Sequence, residues 1–167
     1  MRVLVAIDDS QYSTDAIEQL GARPWWGDTQ FLLLHVTNIP SVQQWRIWGL
    51  EVDWAMREKV LAQAQTMVDD QAGLLTKLVT KGIEIKSQIA ESEDHIAERI
   101  VKEAEDWDAD LIVTGSHGRT GVKKFLLGSV AESVLMQAPC SVEIIRSLPV
   151  TKHDQPKKVK DTSMVVY

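Results

Sequence analysis

The sequence predicts an α/β fold built on an open, five-stranded parallel sheet with helices on both faces. Three observations carry that prediction. Short apolar runs recur without period-2 alternation, as in RVLVAI at 2–7, FLLLHV at 31–36 and DLIVTG at 110–115. Runs of this kind belong to strands buried on both faces. Stretches with apolar residues at three- and four-residue steps lie between them. Strand and helix patterns therefore take turns, which implies parallel pairing through helical crossovers.

RVLVAI is the first strand, followed by DDSQYS and a helical stretch around Ala16, Ile17 and Leu20 that stops near Pro24 and Gly27. FLLLHV is the second strand. Residues 37–50 read as a loop with a short helical piece. A long helix is expected from about Glu51 to Lys81, with Val60, Leu61, Ala64, Val68, Ala72, Leu75 and Val79 on its apolar side and Gly82 ending it. IEIKSQIA is the third strand. Ser92 is expected to cap the next helix, with Glu93 and Asp94 in its first turn and Ile96, Ile100, Ala104 and Trp107 as its stripe. DLIVTG is the fourth strand. A helix from about Ser129 to Met136 leads, past Pro139, to the fifth, SVEIIR at 141–146.

The 167 residues suit one domain, expected over 1–148, followed by a polar and mobile tail over 149–167. The tail carries Lys152, Lys157, Lys158 and Lys160; the body keeps 14 basic against 22 acidic side chains. The whole chain has a formal charge of −6, which argues against a general nucleic-acid binder. No stretch approaches the roughly 18 consecutive apolar residues of a membrane span. MRVLVAIDDS turns acidic too early for a secretory signal. Cys140 is the only cysteine, so no intrachain disulfide forms. A reducing, cytoplasmic setting is the expectation.

The chemistry concentrates in GSHGRTGVKKFLLGS, residues 115–129. Ligands in open α/β sheets collect beyond the C-terminal ends of strands. Asp8 follows strand one and Gly115 ends strand four; if those strands are neighbours, both face one crevice. Glycines expose backbone N–H groups. Ser129-Val130-Ala131-Glu132 fits the S-x-x-E capping box. A helix N-terminus is thereby expected just after Gly128, where its N–H groups favour an anion. Neither the Walker A string nor G-x-G-x-x-G occurs. Local chemistry alone leaves two readings: a phosphate cradle, or a glycine-rich turn with an ordinary cap.

The spacing Gly115-x2-Gly118-x9-Gly128-Ser129 resembles the nucleotide-binding signature of the universal stress protein family, in its ATP-binding subgroup. VLVAIDDSQYS, FLLLHV and APCSVEII resemble that family in the same order, over roughly residues 2–146. The resemblance implies the strand order 3-2-1-4-5, a homodimer through the strand at 141–146, and ATP with Mg²⁺, AMP or another adenine nucleotide as ligand. It places Ala6 and Asp8 at the first strand's nucleotide contacts, with Asp8 near ribose or base. Val36 matches an adenine contact. Gly115 and Gly118 match the loop that meets ribose and phosphate. Gly128, Ser129 and Val130 match the phosphate-facing helix start, where a side chain at 128 would block the ligand and tilt the N–H groups. Ala131 stands where nucleotide-binding members often carry Ser or Thr, which removes one hydroxyl contact. Glu91 stands near a common Gly, so a rearranged edge is expected after strand three.

Simpler roles compete for several of these residues. Asp8 also suits a turn cap, and Ser10 and Ser13 read as turn or cap residues. Arg119 is a phosphate partner through its fork of donors, or a solvated side chain. Lys123 and Lys124 read as exposed. Histidine as a residue type is a common acid or base near neutral pH, which invites a catalytic reading of His117, but no nucleophile is paired with it in the sequence, so it reads as a loop residue. His35 reads as a packed strand-end residue, Cys140 as packing, and Trp54 and Trp107 as core. Trp25, Trp26, Trp45 and Trp48 are candidates to cover a helix face or a subunit surface. The four histidines and one cysteine show no metal-ligand spacing, and any Mg²⁺ would be held largely by phosphate oxygens. The functional expectation is an ATP-binding stress-response regulator or sensor with little or no hydrolysis. The alternatives are a nucleotide-independent dimeric interaction protein and a slow ATPase.

Overall fold

A computed structural model describes residues 1–39, 47, 49, 51, 53–92, 95–118 and 127–146. The elements run β1 (Arg2–Ala6), α1 (Gln11–Gly21), β2 (Gln30–Asn38), α2 (Trp54–Leu78), β3 (Glu84–Ser92), α3 (Ile96–Asp106), β4 (Leu111–Gly115), α4 (Ser129–Gln137) and β5 (Ser141–Ile145). The five strands form one sheet in the order β3-β2-β1-β4-β5, and every pairing is parallel.

The missing alternation in β1 has its cause in the two layers that cover the sheet. Val3, Val5 and Ile7 face Ala16, Ile17, Leu20, Val68 and Leu75 of α1 and α2. Leu4 and Ala6 face Ile100, Ala104 and Val134 of α3 and α4. Both faces of the central strand are dry, so both need apolar side chains. The chain places β2 and β3 on one side of β1, then crosses to place β4 and β5 on the other. Right-handed crossovers taken in opposite directions put their helices on opposite faces. The reversal point lies between β1 and β4, where such sheets open a crevice.

Helix boundaries differ from the sequence expectation where capping was read from local pattern. α2 starts at Trp54 because Asp53 accepts the Met56 N–H at 2.9 Å. It ends at Leu78, and Gly82, with φ +100°, serves the turn into β3. Ser92 is the last residue of β3, which pairs with β2 as far as Asn38, so it caps no helix. α3 begins after His95, with Glu98 in its first turn. The S-x-x-E reading at Ser129 is displaced by one residue: Gly128 is the N-cap, and among the described residues no side chain caps α4.

Trp25 packs edge-on against Phe31 at 5.0 Å and donates its indole N–H to the Leu20 carbonyl. Trp107 lies half-buried against the α3–α4 layer. Trp54 departs from the core expectation: it is 57% exposed at the start of α2, beyond the part of that helix that meets the sheet. Trp45, Trp48 and the 149–167 tail lie outside the described residues, as does all of 37–50 except 37–39, 47 and 49. Glu91 stays within β3, where Arg57 of α2 pairs with its carboxylate and Arg99 of α3 donates to its carbonyl. Cys140 is half-buried in packing, and burial pushes its thiol up from the usual range.

Candidate functional site

A cleft of about 250 Å³ opens where β1 and β4 part. Its walls come from the ends of several strands and from the helices beside them. The end of β1 gives Ala6, Ile7 and Asp8; the end of β2 gives Leu34, His35 and Val36. Thr114, Gly115, His117 and Gly118 follow β4, and Gly128, Ser129, Val130 and Ala131 open α4. Ile96 and Ile100 of α3 close the apolar side. Eight of the sequence candidates thus meet in one place: Ala6, Asp8, Val36, Gly115, Gly118, Gly128, Ser129 and Val130. Arg119, the ninth, lies outside the described residues, as do Lys123 and Lys124.

Asp8 is held by the start of α1. Its Oδ1 accepts from the Ser10 N–H at 3.1 Å, from the Ser13 hydroxyl at 2.7 Å and from the Ser10 hydroxyl. Its own N–H donates to Ser13 Oγ at 2.9 Å. Ser10 is also the N-cap of α1. The cap roles read for these serines and the turn role read for Asp8 are thus real, and they leave Oδ2 over. That oxygen faces Gly118, where a Cβ would come within 2.8 Å of it. Glycine at 118 therefore lets the loop close on a fixed carboxylate. Gly115 is tight for another reason: a Cβ there would meet the Tyr12 backbone at 3.2 Å, so the end of β4 packs directly on α1.

The loop after β4 is tied to the helix that follows. Ser116 N–H donates to the Ile145 carbonyl, and Gly128 N–H donates to the Ser116 carbonyl, both at 2.8 Å. The first helical bond of α4 runs from Glu132 N–H to the Gly128 carbonyl. The N–H groups of Ser129, Val130 and Ala131 precede it and have no side-chain cap among the described residues. They face the cleft as donors, with the positive end of the helix dipole behind them. Ala131 is buried and adds no hydroxyl. His117 sits beside Ser116 Oγ at 3.1 Å and packs against the Tyr12 ring at 5.3 Å.

β2 supplies the opposite wall. The β1–β2 register stops at Ala6↔Leu34, while β2–β3 pairing continues to Asn38↔Ser92. Leu34 C=O points toward β1, where it accepts the Ile7 N–H. Backbone direction repeats every second residue, so the N–H and C=O of Val36 also point that way, past the end of β1 and into the cleft. His35 is more than a packed strand-end residue: it lines the cleft and donates from Nδ1 to the Ile7 carbonyl at 2.8 Å.

Ser13, His35, Thr114, Ile96 and Ile100 line the cleft without having been singled out for it. Ser13 had a visible signal, a hydroxyl five residues after Asp8 in DDSQYS. The others depend on how strands and α3 meet in space. Among the described residues no group of three or more His, Cys, Asp or Glu side chains is placed to hold a metal, and no helix is long and apolar enough to cross a membrane.

The model of the universal stress protein family matches residues 1–146. A Staphylococcus aureus protein classed among the universal stress proteins is 23% identical over 155 residues, covering 93% of this chain and 89% of its own. The solved structure of hypothetical protein MJ0577 aligns with a TM-score of 0.72 at 26% identity, over 88% of this chain and 96% of that one. An Arabidopsis thaliana family member solved with AMP bound aligns at 0.61 and 18% identity, over 95% and 97% of the two chains. Two further structures share the fold at TM-scores of 0.59 and 0.56, one in complex with cAMP and one, from Archaeoglobus fulgidus, with dAMP. Family match, strand order and fold agree: this chain belongs to the universal stress protein family.

Proposed function

We propose that this protein binds an adenine nucleotide in the β1–β4 cleft and acts as a cytoplasmic stress-response regulator or sensor, with little or no hydrolysis. The observation that carries the reading is the pairing of two features across one cleft. A fixed carboxylate, Asp8, offers Oδ2 as an acceptor suited to ribose hydroxyls. Opposite it stands a helix start that no described side chain caps, suited to phosphate. Val36 offers a backbone donor and acceptor at the base end, and Ile96 and Ile100 offer apolar surface for a ring face. The cleft is slightly smaller than the roughly 300–1,000 Å³ of most small-molecule sites. It suits a nucleoside, with phosphates lying outward along Gly128, Ser129 and Val130. AMP, cAMP and dAMP in proteins of the same fold support this ligand class. ATP is the ligand we favour, with Mg²⁺ carried on its phosphate oxygens.

Calorimetric titration with Mg-ATP and with AMP tests the reading. Binding is expected with both, and no heat at millimolar nucleotide would overturn it. Asp8→Ala should weaken both ligands by about tenfold or more, since a hydrogen bond to a charged group contributes about 1.5–3 kcal/mol. Hydrolysis needs a base within hydrogen-bonding reach of the attacking water. Asp8 Oδ1 is already committed to three donors. A single-turnover rate near about 1 s⁻¹, a typical enzymatic value, that fell in both Asp8→Asn and His117→Ala would replace this reading with an ATPase.

The second reading, a nucleotide-independent dimeric interaction protein, draws on Ala131 and on the free edge. Among the described residues β5 pairs only with β4, and Leu135 and Met136 of the preceding helix are exposed. Glu143 is pinned from the α1 side by a two-pronged pair with Arg23, which raises the Arg23 guanidinium further. Unpaired edges invite another chain, and a two-fold contact through 141–146 would satisfy both copies. Light scattering at about 50 μM, some fiftyfold above a micromolar dissociation constant, is expected to give a dimer; a folded monomer would defeat the assignment.

A further inference from the structure

We propose that Arg99 is a positioning residue for the cleft: tethered to β3, it holds the first turns of α3 against the sheet and so sets how closely Ile96 and Ile100 stand against the base. The inference rests on the adenine-nucleotide reading of the cleft. Its own ground is a chain of polar contacts outside the cleft, with Glu103 as the fixed point. Glu103 is buried, and both of its oxygens are engaged. Oε2 accepts from Gln88 Nε2 of β3 at 2.6 Å. Oε1 accepts from Arg99 Nε at 2.8 Å, and Arg99 Nη2 stands 2.6 Å from the same oxygen. Arg99 Nη1 donates to the Glu91 carbonyl at 3.3 Å. An exposed ion pair at i, i+4 contributes little. Here the acid is buried and bonded to a strand, so the pair joins the helix to β3. A buried carboxylate needs its cation, and that need fixes the guanidinium. Glu91 extends the tether to the other helical layer. Strand alternation puts its side chain on the face of Ile85 and Ile89, where Arg57 of α2 holds it.

Placement gives the tether its use. Ile100, next to Arg99, is 3% exposed in the layer between α3 and the sheet, whereas Ile96, one turn earlier, is only partly buried. Apolar packing therefore holds the middle of α3 more firmly than its start. The start is where Ile96 meets the cleft, and Arg99 ties that part of the helix to the end of β3. A wall already held in place costs little further ordering when a ligand arrives. A wall held at one distance also resists a bulkier base, because overpacking is costly. Without the tether the wall should yield, weakening the fit to adenine and relaxing the exclusion of larger rings.

The test compares AMP with etheno-AMP, whose adenine carries an extra fused ring, by titration at a temperature where circular dichroism shows each variant folded. Wild type is expected to prefer AMP. Arg99→Met keeps an apolar stem and removes the tether; it should lower the AMP/etheno-AMP affinity ratio by about threefold or more, the size of effect exerted by residues that act through neighbours of a site. Arg99→Lys keeps a charge for Glu103 and should recover part of the ratio. Gln88→Ala frees Glu103 from β3 and should give the same effect more weakly; this variant carries the comparison if Arg99→Met does not fold. Lys102→Met removes a pair with Asp106 within the same helix and should leave the ratio at its wild-type value. A merely structural tether would lower the denaturant midpoint and leave the ratio unchanged. That result, or a wild type that binds the two ligands equally, overturns the inference alone. Failure of wild type to bind AMP overturns it together with the reading on which it rests.

Discussion

Gly128→Val is expected to remove nucleotide binding while the sheet stays folded. Backbone strain is not the reason, because Gly128 has φ −74° and ψ 150°, which any residue adopts. The reason is the neighbouring loop. A Cβ at 128 would stand 3.3 Å from His117 Cα and 3.4 Å from the Ser116 carbonyl oxygen. The Gly128 N–H is bonded to that same oxygen at 2.8 Å. The sequence reading had the new side chain obstructing the ligand; the first atoms it meets are loop backbone. One methyl needs the loop to give by a few tenths of an ångström, and valine adds two more methyls. Overpacking of this kind costs about 1–3 kcal/mol. Here it separates residues 116–118 from the start of α4, so the Asp8–Gly118 side and the N–H donors no longer face one ligand. Losing one charge-assisted bond of about 1.5–3 kcal/mol in addition makes the expected drop about a hundredfold or more. Gly128→Ala should fall between valine and wild type. Titration with ATP and AMP after circular dichroism checks this, and unchanged affinity in the valine variant would mean that 115–129 does not hold phosphate. Arg119→Ala removes at most one charged contact and should cost no more than about tenfold.

The fold was legible because burial on both faces leaves a mark in the residue types themselves. Val3, Leu4, Val5 and Ala6 are apolar without a gap because alternate side chains enter different layers. The cleft was legible in part because many of its residues, though not Leu34–Val36 or Ile96 and Ile100, cluster in two short stretches, 6–8 and 115–130, at the ends of the strands that border the reversal. What stayed hidden depends on contacts between distant residues. Ser129-x-x-Glu132 has the composition of a capping box, yet the cap falls on Gly128, whose N–H is taken by Ser116. Ser92 looks like a cap, yet β2 keeps pairing until Asn38 and holds it in a strand. His35 looks like one more strand residue until its ring is seen to bond Ile7, a residue on another strand's end.

Gly21 is the strongest case of such a hidden constraint, and Gly21→Ala is expected to destabilise the protein although Gly21 is a helical residue, the last of α1. At an open helical site this change would gain about 0.5–1 kcal/mol, because glycine loses more backbone freedom on folding than alanine. Here a Cβ would stand 2.3 Å from Leu78 Cβ and 2.7 Å from Leu78 Cδ1. The first of these is not the tip of a flexible side chain, so rotation of Leu78 cannot relieve it. α1 and α2 would have to separate at the layer formed by Ile17, Leu20, Val68 and Leu75. The expected loss is about 1–3 kcal/mol, read from the denaturant midpoint. The cause can be isolated with a second substitution. Leu78→Ala leaves the offending Cβ in place and should rescue Gly21→Ala only in part. Leu78→Gly removes it and, at the last residue of α2, should cost about 1 kcal/mol or less by itself. In that background Gly21→Ala should be close to neutral, a coupling of about 1 kcal/mol or more across the pair. An equal penalty for Gly21→Ala in both backgrounds would show that the two helices do not meet at this glycine.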